Sequence, residues 1–143
     1  MEYVDNFYPM LHYLSIGFRI KGKNIMKDNP LRERMQDYGI RILKMSDHLP
    51  PQYSSQALSQ QIVRSGTSVG ANYSAACRCK SRKDFINKMK IVEEELDETL
   101  YWLEMIIKRG LMKKEQIYSL QQEGNELMSI VVRSLQTARK NLK

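Results

Sequence analysis

Cysteine, helix-breaking residues and long apolar runs are all scarce in this chain of 143 residues. Its two cysteines, Cys77 and Cys79, stand one residue apart, a spacing that is poorly suited to a mutual disulfide. Free thiols fit a reducing compartment, so we expect a cytoplasmic protein. No stretch reaches the roughly 18 apolar residues of a membrane span. The N-terminus lacks the basic start and the small-residue cleavage site of a secretory signal, so we expect no secretion.

The motifs of helical enzymes are also missing. A di-iron bundle needs Glu-x-x-His pairs, whereas the residues three positions before His12 and His48 are Pro9 and Met45. The two cysteines could supply two zinc ligands, but no second pair follows at zinc-site spacing. No phosphate-binding loop, nucleotide fingerprint or nucleophile motif occurs. We therefore expect no metal, no cofactor, no catalytic residue and no enzymatic activity.

Helix-forming residues dominate what is present, with 7 Gly, 4 Pro and 42% apolar residues. Apolar residues recur at spacings of three and four in four successive segments. The sequence therefore predicts an all-α fold, an antiparallel up-down four-helix bundle over residues 30–143. Residues 1–29 do not fit this pattern and are expected to form a peripheral N-terminal extension or arm. Alternatively, Met26 is the true start and the preceding residues come from an upstream start codon.

The helices are expected to begin near residues 30, 53, 81 and 113 and to be joined by short connections. A proline pair at Pro50 and Pro51 ends the first helix, and Gly110 ends the third. The expected N-caps are Asn29 for the first helix, Ser54 or Ser55 for the second, and Ser81 for the third.

Three of the predicted core-facing stripes matter most here. They comprise Leu58, Ile62, Ser65, Val69, Asn72 and Ala76 in the second helix, Phe85, Met89, Val92, Leu96, Thr99, Leu103 and Ile106 in the third, and Ile117, Leu120, Gly124, Leu127, Val131, Ser134 or Leu135, and Ala138 in the fourth. Ser65 and Asn72 form a structural polar seam and are expected to hydrogen-bond neighbouring helices, with a ligand site as the alternative. The glycines, alanines and serines around them predict close helix packing that includes a subunit interface. Trp102, beside the third stripe, is a candidate subunit contact.

Basic and acidic residues occupy separate segments of this chain, whose formal net charge is +7. A cluster between the second and third helices is dense enough to contact several phosphates. The candidate nucleic-acid contacts are Arg64, Arg78, Lys80, Arg82, Lys83, Lys88 and Lys90, followed by an acidic run from Glu93 to Glu98. Alternatively, these charges pair with that acidic run and serve a protein–protein scaffold. A third hypothesis, an enzyme using Cys77 or Cys79, requires an unusually reactive thiol.

The segment from Arg64 to Glu104 resembles the signature region of the small bacterial four-helix-bundle proteins. That family includes proteins encoded in intervening sequences of large-subunit ribosomal RNA genes and the accessory variability subunit of diversity-generating retroelements. The resemblance covers about residues 30–142 and rests on Arg64-Ser65, Ser68-Val69, Asn72, the basic turn, and Ser81 with Asp84-Phe85. Many members carry Glu-Gly where this chain has Ala75-Ala76.

The resemblance implies a four-helix bundle that assembles into a ring, a homo-oligomer of five copies. From the missing apolar runs and cofactor motifs we expect neither membrane attachment nor a cofactor. In the retroelement branch the basic ring binds nucleic acid and a reverse transcriptase. We therefore expect RNA or DNA as a partner, together with a reverse transcriptase or another protein.

Overall fold

Four helices make up most of residues 29–141, the part of the chain that the computed structural model describes. Each helix packs against its neighbour in the chain, and the fourth also contacts the first, so the helices form the predicted antiparallel bundle. The predicted N-terminal extension, apart from Asn29, lies outside the described residues. No helix in the described range could cross a membrane. The helices are α1 (Pro30–Ser46), α2 (Tyr53–Ala76), α3 (Arg82–Lys108) and α4 (Lys114–Lys140).

Local sequence determines where α1 and α3 begin. The Asn29 side chain accepts a hydrogen bond from the Arg32 backbone amide at 3.1 Å, and the Ser81 hydroxyl accepts one from the Asp84 amide at 3.1 Å. Both predicted N-caps are thus present, and each satisfies an amide that the helix leaves without an internal partner. Gly110, with φ +76°, follows the end of α3 in the left-handed conformation that glycine adopts without strain.

The start of α2 corrects the predicted capping. Its N-cap is Gln52, in extended conformation, and no side chain caps the helix. Ser54 and Ser55, the expected caps, are both already helical, and Ser55 is turned into the bundle and is 3% exposed. Because an N-cap must be non-helical to reach the free amides, neither serine can serve.

The predicted stripes of α3 and α4 form the centre of the core. All seven stripe residues of α3 and all those of α4 are buried. Ile130 of α4 and the fully buried Tyr73 of α2 join the core from outside the predicted stripes, and α1 contributes Met35, Tyr38, Ile42 and Met45. Burying several large apolar side chains from every helix supplies the main stabilising free energy of the bundle.

Glycines bring α1 and α2 into backbone contact. A Cβ atom added at Gly70 would lie 3.4 Å from the Met35 carbonyl oxygen of α1. One at Gly66 would lie 3.0 Å from two carbons of Ile42, and one at Gly39 would lie 3.4 Å from the Gly66 carbonyl oxygen. These glycines therefore serve packing within the chain.

The polar seam behaves as expected at one of its two positions. The hydroxyls of Ser65 and Thr99 lie 2.9 Å apart, which joins α2 to α3 inside the core. Asn72 instead donates to the Ser68 carbonyl of its own helix at 2.9 Å and is only half-buried. The expectation of an interhelical bond is therefore wrong for Asn72, since Tyr73 occupies the core-facing position in this turn.

A polar contact closes α4 against α1. The Arg34 guanidinium donates hydrogen bonds to the carboxylate of Glu123, at 2.6 Å, and to that of Glu126. These hydrogen bonds raise the pKa of Arg34, and the bond to Glu123 has the larger effect. Beside this contact, Gly124 leaves room for the buried hydroxyl of Tyr38, because an added Cβ would lie 2.7 Å from it. Burial raises the pKa of Tyr38, so the hydroxyl stays neutral.

Candidate nucleic-acid interface

The antiparallel order of the helices gathers the starts of α1 and α3 and the ends of α2 and α4 at one end of the bundle. Two contacts join α1 to α2 there: Asn29 Nδ2 donates to Cys77 Sγ at 3.4 Å, and Arg32 Nε donates to the Ser74 hydroxyl at 3.1 Å. We call this region the basic end. Its cations are Arg32, Arg78, Lys80, Arg82, Lys83, Lys88, Arg139 and Lys140.

Four of the predicted nucleic-acid contacts belong to the basic end and have no partner in the bundle. Arg78, Lys80 and Lys83 are exposed, and Lys88 is half-buried. None of the four forms a hydrogen bond or ion pair with another residue between 29 and 141. Their charges are therefore available to an anionic partner.

Arg82 has a structural contact at the same end. Its guanidinium donates to the backbone carbonyl of Asn141, the residue that caps α4. This bond ties the start of α3 to the end of α4 and satisfies a carbonyl that a helix end leaves free. Arg82 thus holds α3 and α4 together at the basic end. This contact gives the guanidinium a structural role, which weakens the prediction that Arg82 contacts a phosphate.

Arg64 lies away from the basic end, near the middle of the bundle. It bonds Glu98 and lies 3.5 Å from Glu95, both on α3. These carboxylates raise the pKa of Arg64, chiefly through the hydrogen bond to Glu98. Trp102 Nε1 also donates to Glu98, at 3.0 Å. The positive charge of Arg64 is therefore matched within the chain.

Lys90 is likewise paired. Its amine lies 2.7 Å from Glu93, three residues later on α3. This spacing places two side chains on the same helix face. For Lys90 and Arg64 the structure thus agrees with the alternative interpretation that the cluster pairs with the acidic run.

Three cations of the basic end were not among the predicted contacts: Arg32 at the start of α1, and Arg139 and Lys140 at the end of α4. They are far from the cluster in the chain, and only the antiparallel topology brings them near it. The basic end also contains Asp84, whose carboxylate accepts a hydrogen bond from Ser81 at 2.5 Å. Because this pair occupies the start of α3, attraction for anions comes from side chains rather than from free helix amides.

The two thiols at this end are shielded. Cys77 is half-buried and receives the hydrogen bond from Asn29. Burial raises the pKa of both the Cys77 and the Cys79 thiol, which lowers the fraction of reactive thiolate at neutral pH. In residues 29–141 no group of His, Cys, Asp or Glu side chains could hold a metal ion.

The two carboxylates beside Arg64 should respond oppositely to pH. The hydrogen bond from Arg64, and next that from Trp102, lowers the pKa of Glu98, so its contribution to stability is lost as pH falls through the folded-state value. Burial raises the pKa of Glu95, so its charged form costs stability as pH rises through the folded-state value. At neutral pH we expect Glu98→Gln to lower Tm and Glu95→Gln to raise it, each by about 2 °C.

Both differences should vanish well below the usual glutamate pKa of about 4.3, where both side chains are neutral. Thermal unfolding followed by circular dichroism across pH measures this. Shifts of the same sign for the two variants at neutral pH would contradict the assignment.

Fold and site together define a class of protein: a small all-α bundle with eight cations gathered at one end, of which Arg78, Lys80, Lys83 and Lys88 have no partner within residues 29–141. The chain belongs to the 23S rRNA-intervening sequence protein family, whose family model matches residues 27–133. It is also similar to a crystal structure from Bacteroides thetaiotaomicron VPI-5482, a protein of unknown function from the S23 ribosomal protein family. The two share 33% sequence identity with a TM-score of 0.69, over 73% of this chain and 97% of that one. A search of curated proteins finds no match.

Proposed function

We propose that this protein is a non-catalytic accessory protein that binds RNA or DNA through its basic end. The observation that carries the proposal is the set of four cations, Arg78, Lys80, Lys83 and Lys88, which have no ionic partner in residues 29–141. A group of several lysine and arginine side chains is suited to contact several phosphates of a nucleic-acid backbone at once. Arg32, Arg139 and Lys140 extend the same surface.

We further propose that the protein acts in the cytoplasm as a homo-oligomer, a pentamer as the resemblance implies, and that a reverse transcriptase or another protein joins the complex. Tyr101 is 54% exposed and packs edge-on against Trp102 with ring centroids 5.0 Å apart. An exposed tyrosine ring supported by a half-buried tryptophan favours a protein contact. A ring would present several basic ends at once, and linked sites bind one polymer more tightly than a single site does.

A protein–protein scaffold is the second candidate function. Its support is the pairing of Arg64 with Glu98 and of Lys90 with Glu93, which shows that part of the positive charge is neutralised inside the chain. In that case the basic end would contact an acidic protein surface and would show no general affinity for phosphate polymers.

The experiment that tests nucleic-acid binding is a titration of the purified protein against structured RNA and duplex DNA at several salt concentrations. We expect a sub-micromolar Kd at low salt. Four to seven phosphate contacts give a slope of log Kobs against log salt of about −4 to −6. Absence of binding at low salt would overturn the proposal and favour the scaffold.

A further inference from the structure

The exposed aromatic side chains of the described range all lie outside the basic end. Tyr73 and Phe85, at the end of α2 and the start of α3, are 0% and 5% exposed. Among the aromatic side chains between residues 29 and 141, the most exposed are Tyr53, Tyr101 and Tyr118, at 89%, 54% and 52%. Tyr53 and Tyr118 lie near the starts of α2 and α4, at the opposite end, and Tyr101 lies in the second half of α3.

This distribution bears on the form of the nucleic acid. Proteins that hold single strands stack the bases on aromatic side chains, which contributes about 1–3 kcal/mol per base. Within the described range, the basic end offers no exposed aromatic ring for such stacking. The bases of a duplex are already stacked on one another, so a duplex needs no aromatic ring from the protein. Each phosphate contact with a duplex also releases more counterions than a contact with a single strand.

The arrangement of the cations agrees with a duplex. They come from α1, from the α2–α3 connection, from α3 and from α4, so they are spread over the whole end of the bundle. Two helices side by side span about 20 Å, which is wider than the roughly 12 Å major groove. Such a face can reach phosphates on both strands.

We infer that the basic end binds double-helical nucleic acid through its phosphates, without reading base sequence. This inference rests on the proposed function and specifies its ligand. The charge-bearing side chains Arg78, Lys80 and Lys83 are exposed and free of hydrogen bonds to residues 29–141, so nothing there fixes them for base-specific contacts.

The test compares the full-length protein's affinity for a fluorescently labelled duplex of about 20 base pairs with its affinity for an unstructured pyrimidine strand of equal length, by fluorescence anisotropy. We expect at least about tenfold tighter binding of the duplex near 0.1 M salt. A scrambled duplex should compete within about twofold. Equal or tighter binding of the single strand, or strong discrimination between duplexes, would overturn the inference while the proposed function stands. Failure to bind either would overturn both.

A matched full-length variant separates the basic end from the aromatic N-terminal segment. It replaces Tyr3, Phe7, Tyr8, Tyr13 and Phe18 by leucine, which removes the aromatic rings and keeps apolar side chains. We expect its preference for the duplex to equal that of the natural chain within about twofold. A changed preference would show that residues before Asn29 select the ligand form and would overturn the inference.

Discussion

Reversing Arg78, Lys80 and Lys83 to glutamate together should weaken binding to duplex nucleic acid by about 100-fold or more near 0.1 M salt. All three side chains are exposed and have no ionic partner within residues 29–141, so the fold should tolerate the change. Losing three phosphate contacts should also reduce the slope of log Kobs against log salt by about 3. Anisotropy titrations at several salt concentrations measure both effects, and circular dichroism checks the helix content.

The matched control reverses Lys44, Arg109 and Lys114, which are exposed at the opposite end of the bundle. Each triple reversal lowers the formal net charge from +7 to +1, because each substitution changes the charge by two. We expect the control to bind within about fivefold of the natural chain, since it alters only the long-range field. Equal losses in the two variants would mean that total charge, rather than the basic end, governs binding.

Replacing Gly70 by leucine should lower the free energy of unfolding by about 2 to 3 kcal/mol. A Cβ at this position would already be in van der Waals contact, at 3.4 Å, with the backbone of Met35 and Gln36. The further carbons of leucine therefore meet a backbone segment that cannot rotate away as a side chain can. The larger side chain must therefore push α1 from α2 and open the core around the buried Met35. Chemical denaturation followed by circular dichroism measures the loss, and Tm should fall by about 10 °C.

Ala71→Leu is the control for this prediction. Ala71 is the next residue of α2 but is exposed, so the same leucine should change stability by less than about 0.5 kcal/mol. A Gly70→Leu protein as stable as the natural chain would show that the close approach of α1 and α2 is dispensable.

Much of the fold could be predicted because its determinants are local. The stripe from Phe85 to Ile106 repeats at the spacing of a helix, and all seven of its residues are buried. Asn29, Ser81 and Gly110 act on amides or dihedral angles within a few residues of themselves. Such interactions are visible in the sequence, since they need no knowledge of how helices meet.

The errors concern choices that packing makes between adjacent residues. In α2, both Asn72 and Tyr73 lie near the predicted face, and the folded chain buries Tyr73 and leaves Asn72 half-buried. Burying Tyr73 rather than Asn72 removes more apolar surface from water and leaves no amide to satisfy in the core. Periodicity alone could not distinguish the two.

The candidate site was predictable only where chain neighbours form it. The turn that contains Arg78, Lys80 and Lys83 is contiguous, and the Lys90–Glu93 pair could be read from its spacing. Arg64 and Glu98 are 34 residues apart, and Arg32, Arg139 and Lys140 join the turn only through the folded topology. Charge density in the sequence therefore indicated a basic cluster without showing which of its members are already paired.

Because the bundle has an even number of antiparallel helices, the start of α1 and the end of α4 lie at the same end, which limits where a probe can be attached without disturbing the candidate interface. Asn29 and Asn141, the first and last described residues, both belong to the basic end, so a dye, bead or fusion partner joined close to either would compete with a ligand there. The connection around Gly110 lies at the other end of α3, and a Cβ atom added at Gly110 would have no neighbouring atom within 4 Å. With 27 residues, α3 holds that connection about 40 Å away. A label or surface tether placed there would leave the basic end facing solution, provided that it is attached by chemistry other than thiol coupling, because the free Cys77 and Cys79 lie at the basic end.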